Sequence, residues 1–309
     1  MSFVDGFRAL NGRFSGQLEF DAPLSRVAYY RIGGPASVLA TPRTPEDLEL
    51  LHGVVFRTGC PVFILGWGSN LLFPDEGYQG LVLRMKHLFT GVEELGPGRI
   101  RVGGSLGASS LLRVAAERGY GGLERLTGIP GSVGGMIAMN AGTHLGEIGR
   151  ILIQTETVSF GTGSLALQKK IRIHEESDFS YRKNHFLGPS DLILHADLVF
   201  EPEDPVQVKA RIDELYQRRK ATQPVDLPSC GSVFMNPKAA GLHAWQVVER
   251  LGLKGYRIGG AQVSEKHGNF IVNLGSATAA DVRALIFLIR DRAKNELGIE
   301  LQEEVRILS

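Results

Sequence analysis

The stretch GIPGSVGGMIAMNAG, Gly128–Gly142, is the part of the chain whose reading decides the fold. It places Gly128, Gly131, Gly134 and Gly135 within eight residues, next to Ser132 and ahead of Asn140. A Walker-type phosphate loop would continue into Lys-Ser/Thr, but Met136 and Ile137 follow Gly135. A second dense segment, GWGSNLLF at Gly66–Phe73, supplies two glycines of a dinucleotide fingerprint and then Leu71 where the third should stand. Both standard nucleotide motifs therefore fail. What remains is a cradle of main-chain N–H groups, uncovered by glycine and able to hold a diphosphate without a lysine. A single glycine pair would be read as a tight turn that binds nothing. Two segments that each combine glycine with serine and asparagine (Ser69, Asn70; Ser132, Asn140) favour a ligand.

The surrounding composition agrees. Glycine accounts for 39 of 309 residues, nearly twice the usual ~7 per cent, and is clustered rather than periodic. Thirty-four basic residues face 33 acidic ones, a balance that argues against a dedicated nucleic-acid surface. Cys60 and Cys230 are far apart and show no CxxC spacing, and the eight histidines form no metal motif, so neither a disulfide framework nor a metal site is expected. The absence of a long apolar run or a signal-peptide core predicts a reduced, cytoplasmic protein without a membrane span.

The length suits two or three domains. Thr44-Pro45-Glu46-Asp47 reads as a helix start, and Cys60–Leu65 as a buried strand running into the Gly66 loop. A helix is expected over Val206–Gln223, stopped by Pro224. The remainder, from about Pro224, alternates helix and strand as a compact subdomain, with Thr278 and Asp281 opening its long helix and Gly298 closing it.

Taken in order, RIGGPA (Arg31–Ala36), GWGSNLLF, the Gly128–Gly142 stretch, YRKNHF (Tyr181–Phe186), CGSVFMNP (Cys230–Pro237) and GGAQVSEKHGNFIVN (Gly259–Asn273) resemble the UDP-N-acetylenolpyruvoylglucosamine reductase family over nearly the whole chain. The closest likeness is to its shorter subclass, which lacks a tyrosine-bearing loop insertion. The resemblance implies an α+β protein: a two-part FAD-binding module of the vanillyl-alcohol oxidase/p-cresol methylhydroxylase type over residues 1–85 and 86–222, then an α/β substrate domain over 223–309. It implies FAD as cofactor and NADPH as co-substrate. FAD would be held by Arg31, Gly33, Gly66, Gly68, Ser69, Asn70, Leu71, Gly128, Ile129, Pro130, Gly131, Ser132, Gly134, Gly135, Asn140, Ala141 and Gly142. The chain departs from the family's usual residues at Trp67 (glycine), Cys230 (alanine) and Glu303 (proline).

The implied reaction reduces the enolpyruvyl ether of UDP-N-acetylglucosamine to UDP-N-acetylmuramate, a peptidoglycan precursor. Hydride arrives from the flavin N5, and charge then builds on the substrate carboxylate. Such a site needs an electrophilic clamp and a proton donor. Arg182 matches the clamp, Ser232 the donor, and Glu304 the group that polarises the enolate or a water. Tyr181, Lys220 and Asn236 match substrate-binding positions, Lys220 standing twelve residues before Ser232. NADPH and the nucleotide sugar would use one shared site in turn, which accounts for the missing second dinucleotide motif. Two rivals stay open on residues alone. A flavin oxidase on the same module would react with oxygen, and a non-catalytic flavin-binding module would tolerate loss of Arg182 and Glu304.

Overall fold

The computed structural model describes residues 2–161, 163–237 and 241–308. The chain forms two compact units, each assembled from separated segments. The first comprises Met1–Asp21, Ala36–Trp67 and Gln79–Gln217; the second comprises Ala22–Pro35, Gly68–Tyr78 and Arg218–Ser309. The two short segments that contain RIGG and GSNLLF thus pack with the C-terminal third rather than with their sequence neighbours.

In the first unit a four-stranded sheet runs in the order Gln17–Pro23, Pro35–Thr41, Tyr78–Arg84, Val62–Leu65, and its last pair is parallel. The helix Pro45–Thr58 covers a core that includes Val38, Leu51, Val54, Leu81 and Leu83. The expected start of this helix is present: Thr44 and Asp47 cap each other reciprocally, Pro45 opens the first turn, and Gly59 ends it at φ 66°. A second sheet is wholly antiparallel, in the order Lys169–Ile173, Leu152–Ser159, Asp191–Val199, Arg99–Gly103, Val92–Gly96. Its apolar face meets the helices Ala108–Arg118 and Val133–Ala138 through Ile100, Val102, Leu111, Val133, Ile137 and Leu198. The long helix spans Pro205–Thr222 and stops two residues before Pro224.

The second unit is built on a small antiparallel sheet, Arg257–Ile258, Ala261–Val263 and Ile271–Asn273, with the helices Ala244–Arg250 and Ala279–Leu297. The predicted Thr278–Asp281 capping pair and the αL Gly298 bound the longer helix. The inserted segments are locked in by polar contacts. The buried Tyr30 hydroxyl donates to the Ile271 carbonyl at 2.9 Å, and Asn273 donates back to the Tyr30 carbonyl at 3.0 Å. The Asp75 carboxylate accepts the amides of Ala279 and Ala280, adding a second cap to that helix. Among the described residues no helix is long and apolar enough to cross a membrane.

Candidate active site

In the first unit the glycine loops close on one another. Val133 and Gly134 donate their amides to the carbonyls of Leu106 and Gly104, and Ala108 donates to the Gly131 carbonyl. Ser132 caps the short helix Val133–Ala138 by accepting from the Gly135 amide. A Cβ on Gly66 would lie 2.6 Å from the Ser132 hydroxyl, and one on Gly107 would lie 2.4 Å from the Trp67 ring. A side chain at either position would force Ser132 or Trp67 to move. Trp67, 40 % exposed, fills the space over Gly107.

The amides of Gly134 and Gly135 are thus already used within the protein, whereas the sequence suggested all four glycines as open donors. The amides of Gly131 and Ser132 donate to no group among the described residues, although both residues are buried. Gly131 has φ 151° and Gly128 has φ 77°, which only glycine adopts easily. The buried hydroxyls of Thr127 and Ser105 likewise have no partner among the described residues. Buried donors without acceptors are costly and rare in a folded chain. The two unpaired amides fit a ligand rich in acceptor oxygens, as the diphosphate of FAD is.

Asn140 is buried at φ 42°, and its side chain is spent on protein groups: it donates to Glu147 at 2.7 Å and to the Ser180 carbonyl at 3.0 Å, and accepts from the Gly149 amide at 3.1 Å. Ala141 and Gly142 lead into the hairpin Gly142–Thr143/Gly146–Glu147. Arg182 lies at the turn of a second hairpin, Phe179–Ser180/Lys183–Asn184, with φ 60°. Its guanidinium donates to Glu147 at 3.3 Å and to the Gly142 carbonyl at 3.1 Å, and lies 4.9 Å from the centre of the Tyr181 ring. Sequence reading passed over Glu147. Only its place between two glycine-marked turns, THLGEIG, hinted at a side chain held in a fixed direction.

In the second unit Ser232 follows Gly231, whose φ of 78° makes the turn. Beyond it, Asn269 brackets the chain: its side chain accepts the Phe234 amide at 2.9 Å and donates to the Phe234 carbonyl at 2.8 Å, while its own carbonyl accepts the Val233 amide. The Val233 carbonyl accepts the Glu304 amide at 2.8 Å, so the serine turn and the glutamate share one register. Asn70 donates to the Glu304 carbonyl at 3.0 Å and accepts the Arg306 amide, and Leu71 pairs in parallel with Arg306. Arg31 is exposed at φ 56°, and a Cβ on Gly33 would lie 2.7 Å from Phe73. Gly68 is buried at φ 65°. Glu303, the departure from the family's proline, is ion-paired to Arg290 at 2.6 Å. Asn236 accepts the Ala244 amide at 3.0 Å, and Lys220 is exposed near the end of its helix. Cys230 is 1 % exposed, and burial, with a further contribution from the Glu304 charge, pushes its thiol up to about 12. It stays protonated near neutrality and serves as packing.

Comparison with known proteins agrees with this arrangement. The profile of an FAD binding domain matches residues 36–166, placing the chain among proteins with an FAD-binding module. The profile described as UDP-N-acetylenolpyruvoylglucosamine reductase, C-terminal domain, matches residues 223–308. The UDP-N-acetylenolpyruvoylglucosamine reductase of Geobacter sulfurreducens is 40 % identical over 96 % of this chain and 96 % of its own, and that of Moorella thermoacetica is 39 % identical over 94 % and 93 %. The crystal structure of the Thermus caldophilus UDP-N-acetylenolpyruvylglucosamine reductase superposes with a TM-score of 0.78 at 35 % identity, covering 96 % of this chain and all of that one. The chain belongs to the UDP-N-acetylenolpyruvoylglucosamine reductase family.

Proposed function

We propose that the protein is an FAD-dependent reductase that uses NADPH to convert UDP-N-acetylglucosamine enolpyruvate to UDP-N-acetylmuramate for peptidoglycan synthesis in the cytoplasm. FAD, when bound, supplies the acceptor for the NADPH hydride and the donor of hydride to the enolpyruvyl group. Residues 1–85 and 86–222 are assigned to the cofactor and 223–309 to the nucleotide sugar. The unpaired amides at Gly131 and Ser132 are the donors offered to the cofactor's diphosphate.

Arg182 holds the substrate carboxylate and stabilises the charge that grows on it; a guanidinium stays charged throughout. Ser232 donates the proton to the carbon next to the carboxylate. An alcohol is a weak acid, so this step depends on the fixed placement of its hydroxyl and on the enolate being a strong base. Glu304 polarises the enolate or an intervening water. Tyr181, Lys220 and Asn236 orient the nucleotide sugar, with Lys220 on its phosphates. NADPH and substrate occupy one site in turn.

The observation that carries the reading is the backbone pairing of residues 233–235 with 302–305, which brings the segment that follows Ser232 beside Glu304. The test is spectroscopic. Purified protein should show flavin absorbance, bleach with NADPH, and recover when the enolpyruvyl nucleotide is added. Ser232→Ala should bleach normally and recover about 10²–10⁴-fold more slowly. A protein free of flavin, or a Ser232→Ala variant that recovers at the wild-type rate, would refute the assignment.

A further inference from the structure

We propose that Glu147 is a positioning residue that aims the Arg182 guanidinium, and that Asn140 fixes Glu147 for that purpose. The inference rests on the reading of Arg182 as the carboxylate clamp and adds the device that holds it.

Arg182 starts from an unfavourable place for a precise contact. It occupies a two-residue turn in the left-handed region, where a residue with a Cβ is strained. A long side chain leaving such a turn has several rotamers open to it, and anchoring removes them. The anchors come from the other hairpin: the Glu147 carboxylate at 3.3 Å from Nη1 and the Gly142 carbonyl at 3.1 Å from Nη2. These contacts reach both ends of the guanidinium fork and fix its plane.

Glu147 is itself held. Its second carboxylate oxygen accepts from Asn140 Nδ2 at 2.7 Å. That amide nitrogen also donates to the Ser180 carbonyl at 3.0 Å, within the hairpin that carries Arg182, and the Asn140 oxygen accepts from Gly149. The orientation of the Asn140 amide is therefore set by three bonds, and Nδ2 must face Glu147. Gly149 closes the other side, since a Cβ there would lie 2.8 Å from both the Asn140 oxygen and the Phe179 ring. The result is a ring of contacts, from hairpin to Asn140 to Glu147 to Arg182 and back to the hairpin. Both oxygens of Glu147 face donors. A glutamine has one acceptor and one donor, so it satisfies only one of them. A carboxylate is the group this position requires.

The test uses the flavin-loaded protein and reads the two half-reactions separately. Glu147→Ala should leave flavin reduction by NADPH within about twofold of wild type. It should slow reoxidation by the enolpyruvyl nucleotide about 10- to 100-fold, the effect expected when a clamp is misplaced by an ångström or so. Glu147→Gln, nearly isosteric and so a safeguard against misfolding, should be impaired within a few-fold of alanine. Glu147→Asp, which keeps two acceptor oxygens, should recover part of the rate. Wild-type reoxidation by either the alanine or the glutamine variant would overturn the proposal. So would equal loss of both half-reactions, which is the mark of a purely structural role. A wild-type protein whose reduced flavin ignores the nucleotide fails in a different way: it removes the functional reading first, before any variant is compared, and the proposal falls with it.

Discussion

Arg182 is fixed chiefly through side chains, and the segment of Ser232 chiefly through main chain. Around Arg182 the contacts run from guanidinium to carboxylate to carboxamide, with two non-glycine residues, Asn140 and Arg182, at positive φ. Around Ser232 they run from amide to carbonyl, with Asn269 as a clip, above a core that includes Cys230, Val233, Phe234, Val263 and Ile271. The difference suits the roles proposed for them. A clamp needs its charge aimed along a set direction, so the groups behind it are themselves polar and charged. A hydroxyl that gives up a proton needs only to stay put, and backbone pairing over an apolar core does that. The first region should therefore respond to changes of polar chemistry, the second to loss of packing or of the clip.

The largest effect that would sharpen this contrast is expected from Arg182→Ala. Reoxidation by the enolpyruvyl nucleotide should fall about 10³-fold, as for loss of a main charge-stabilising donor, while the thermal midpoint shifts by only a few degrees. Rapid-mixing absorbance and calorimetry report the two quantities. A collapse of stability alongside the rate would show that the arginine holds the hairpin rather than the substrate.

For the serine loop the corresponding substitution is Asn269→Ala. It leaves the buried amide and carbonyl of Phe234 without their side-chain partner. The cost should be about 3 kcal/mol in urea unfolding, the sum of two unsatisfied buried groups. If the protein loses nucleotide turnover but keeps its stability, then the clip acts on chemistry and the contrast fails.

Gly149→Ala should have a smaller effect, on the clamp side. The new methyl group would press on Asn140 and Phe179, displacing the network by some tenths of an ångström. Overpacking of this kind costs about 1–2 kcal/mol. Reoxidation should slow about tenfold and flavin reduction by NADPH should not change. Equal slowing of both would show that the strain spreads beyond the Arg182 hairpin.

Much of this could be read from sequence wherever local chemistry fixes local structure. Thr44 and Asp47 mark the start of one helix, and Thr278, Asp281 and Gly298 both ends of another, because caps act within four residues. The glycine loops were legible for the same reason. What the sequence hid is long-range. Asn70 looks like a loop residue, yet its side chain holds the backbone of Glu304, 234 positions away. Gly134 looks like an open donor until the Gly104 carbonyl is placed against it. Glu147 carries no motif at all; its role appears only when two hairpins are folded side by side. The segments 22–35 and 68–78 likewise reveal their partner unit only through Tyr30, Asn273 and Asp75.

Acid should separate the two regions further, by a smaller margin. Asp178 leads into the Arg182 hairpin, where its carbonyl accepts the His185 amide. The Arg172 guanidinium, then His174 and the Glu175 amide, hold its carboxyl well below the usual range despite the opposing effect of burial. A depressed acid contributes stability that is complete above the unfolded value of about 3.9 and is lost as pH falls through the folded one. His174 works in the same direction. Burial lowers its pKa against the help of Asp178, so its contribution is complete above about pH 6.5 and declines below. As pH falls below about 6.5 the buried His174 and His267, the latter accepting the Asn269 amide, weaken both regions, and below about pH 4 Asp178 should add a loss of exchange protection at the hairpin amides ahead of residues 233–235. Simultaneous loss would place both regions in one cooperative unit.

The smallest effect is expected at Cys230, two residues from the proposed proton donor. Its position invites a chemical role, but a thiol pushed up to about 12 is almost wholly protonated at pH 8. Thiol alkylation of the native protein should proceed no faster than the loop opens, and Cys230→Ala should restore the family's usual residue with nucleotide turnover within about twofold. The alanine leaves a small void beside Val233 and Phe234, so stability should fall by about 1 kcal/mol, readable as a lower urea midpoint with an unchanged slope. Fast alkylation, or a large loss of turnover with stability intact, would mean that the Ser232 loop carries a reactive group after all. The division between a region held by charge and one held by packing would then no longer hold on the packing side.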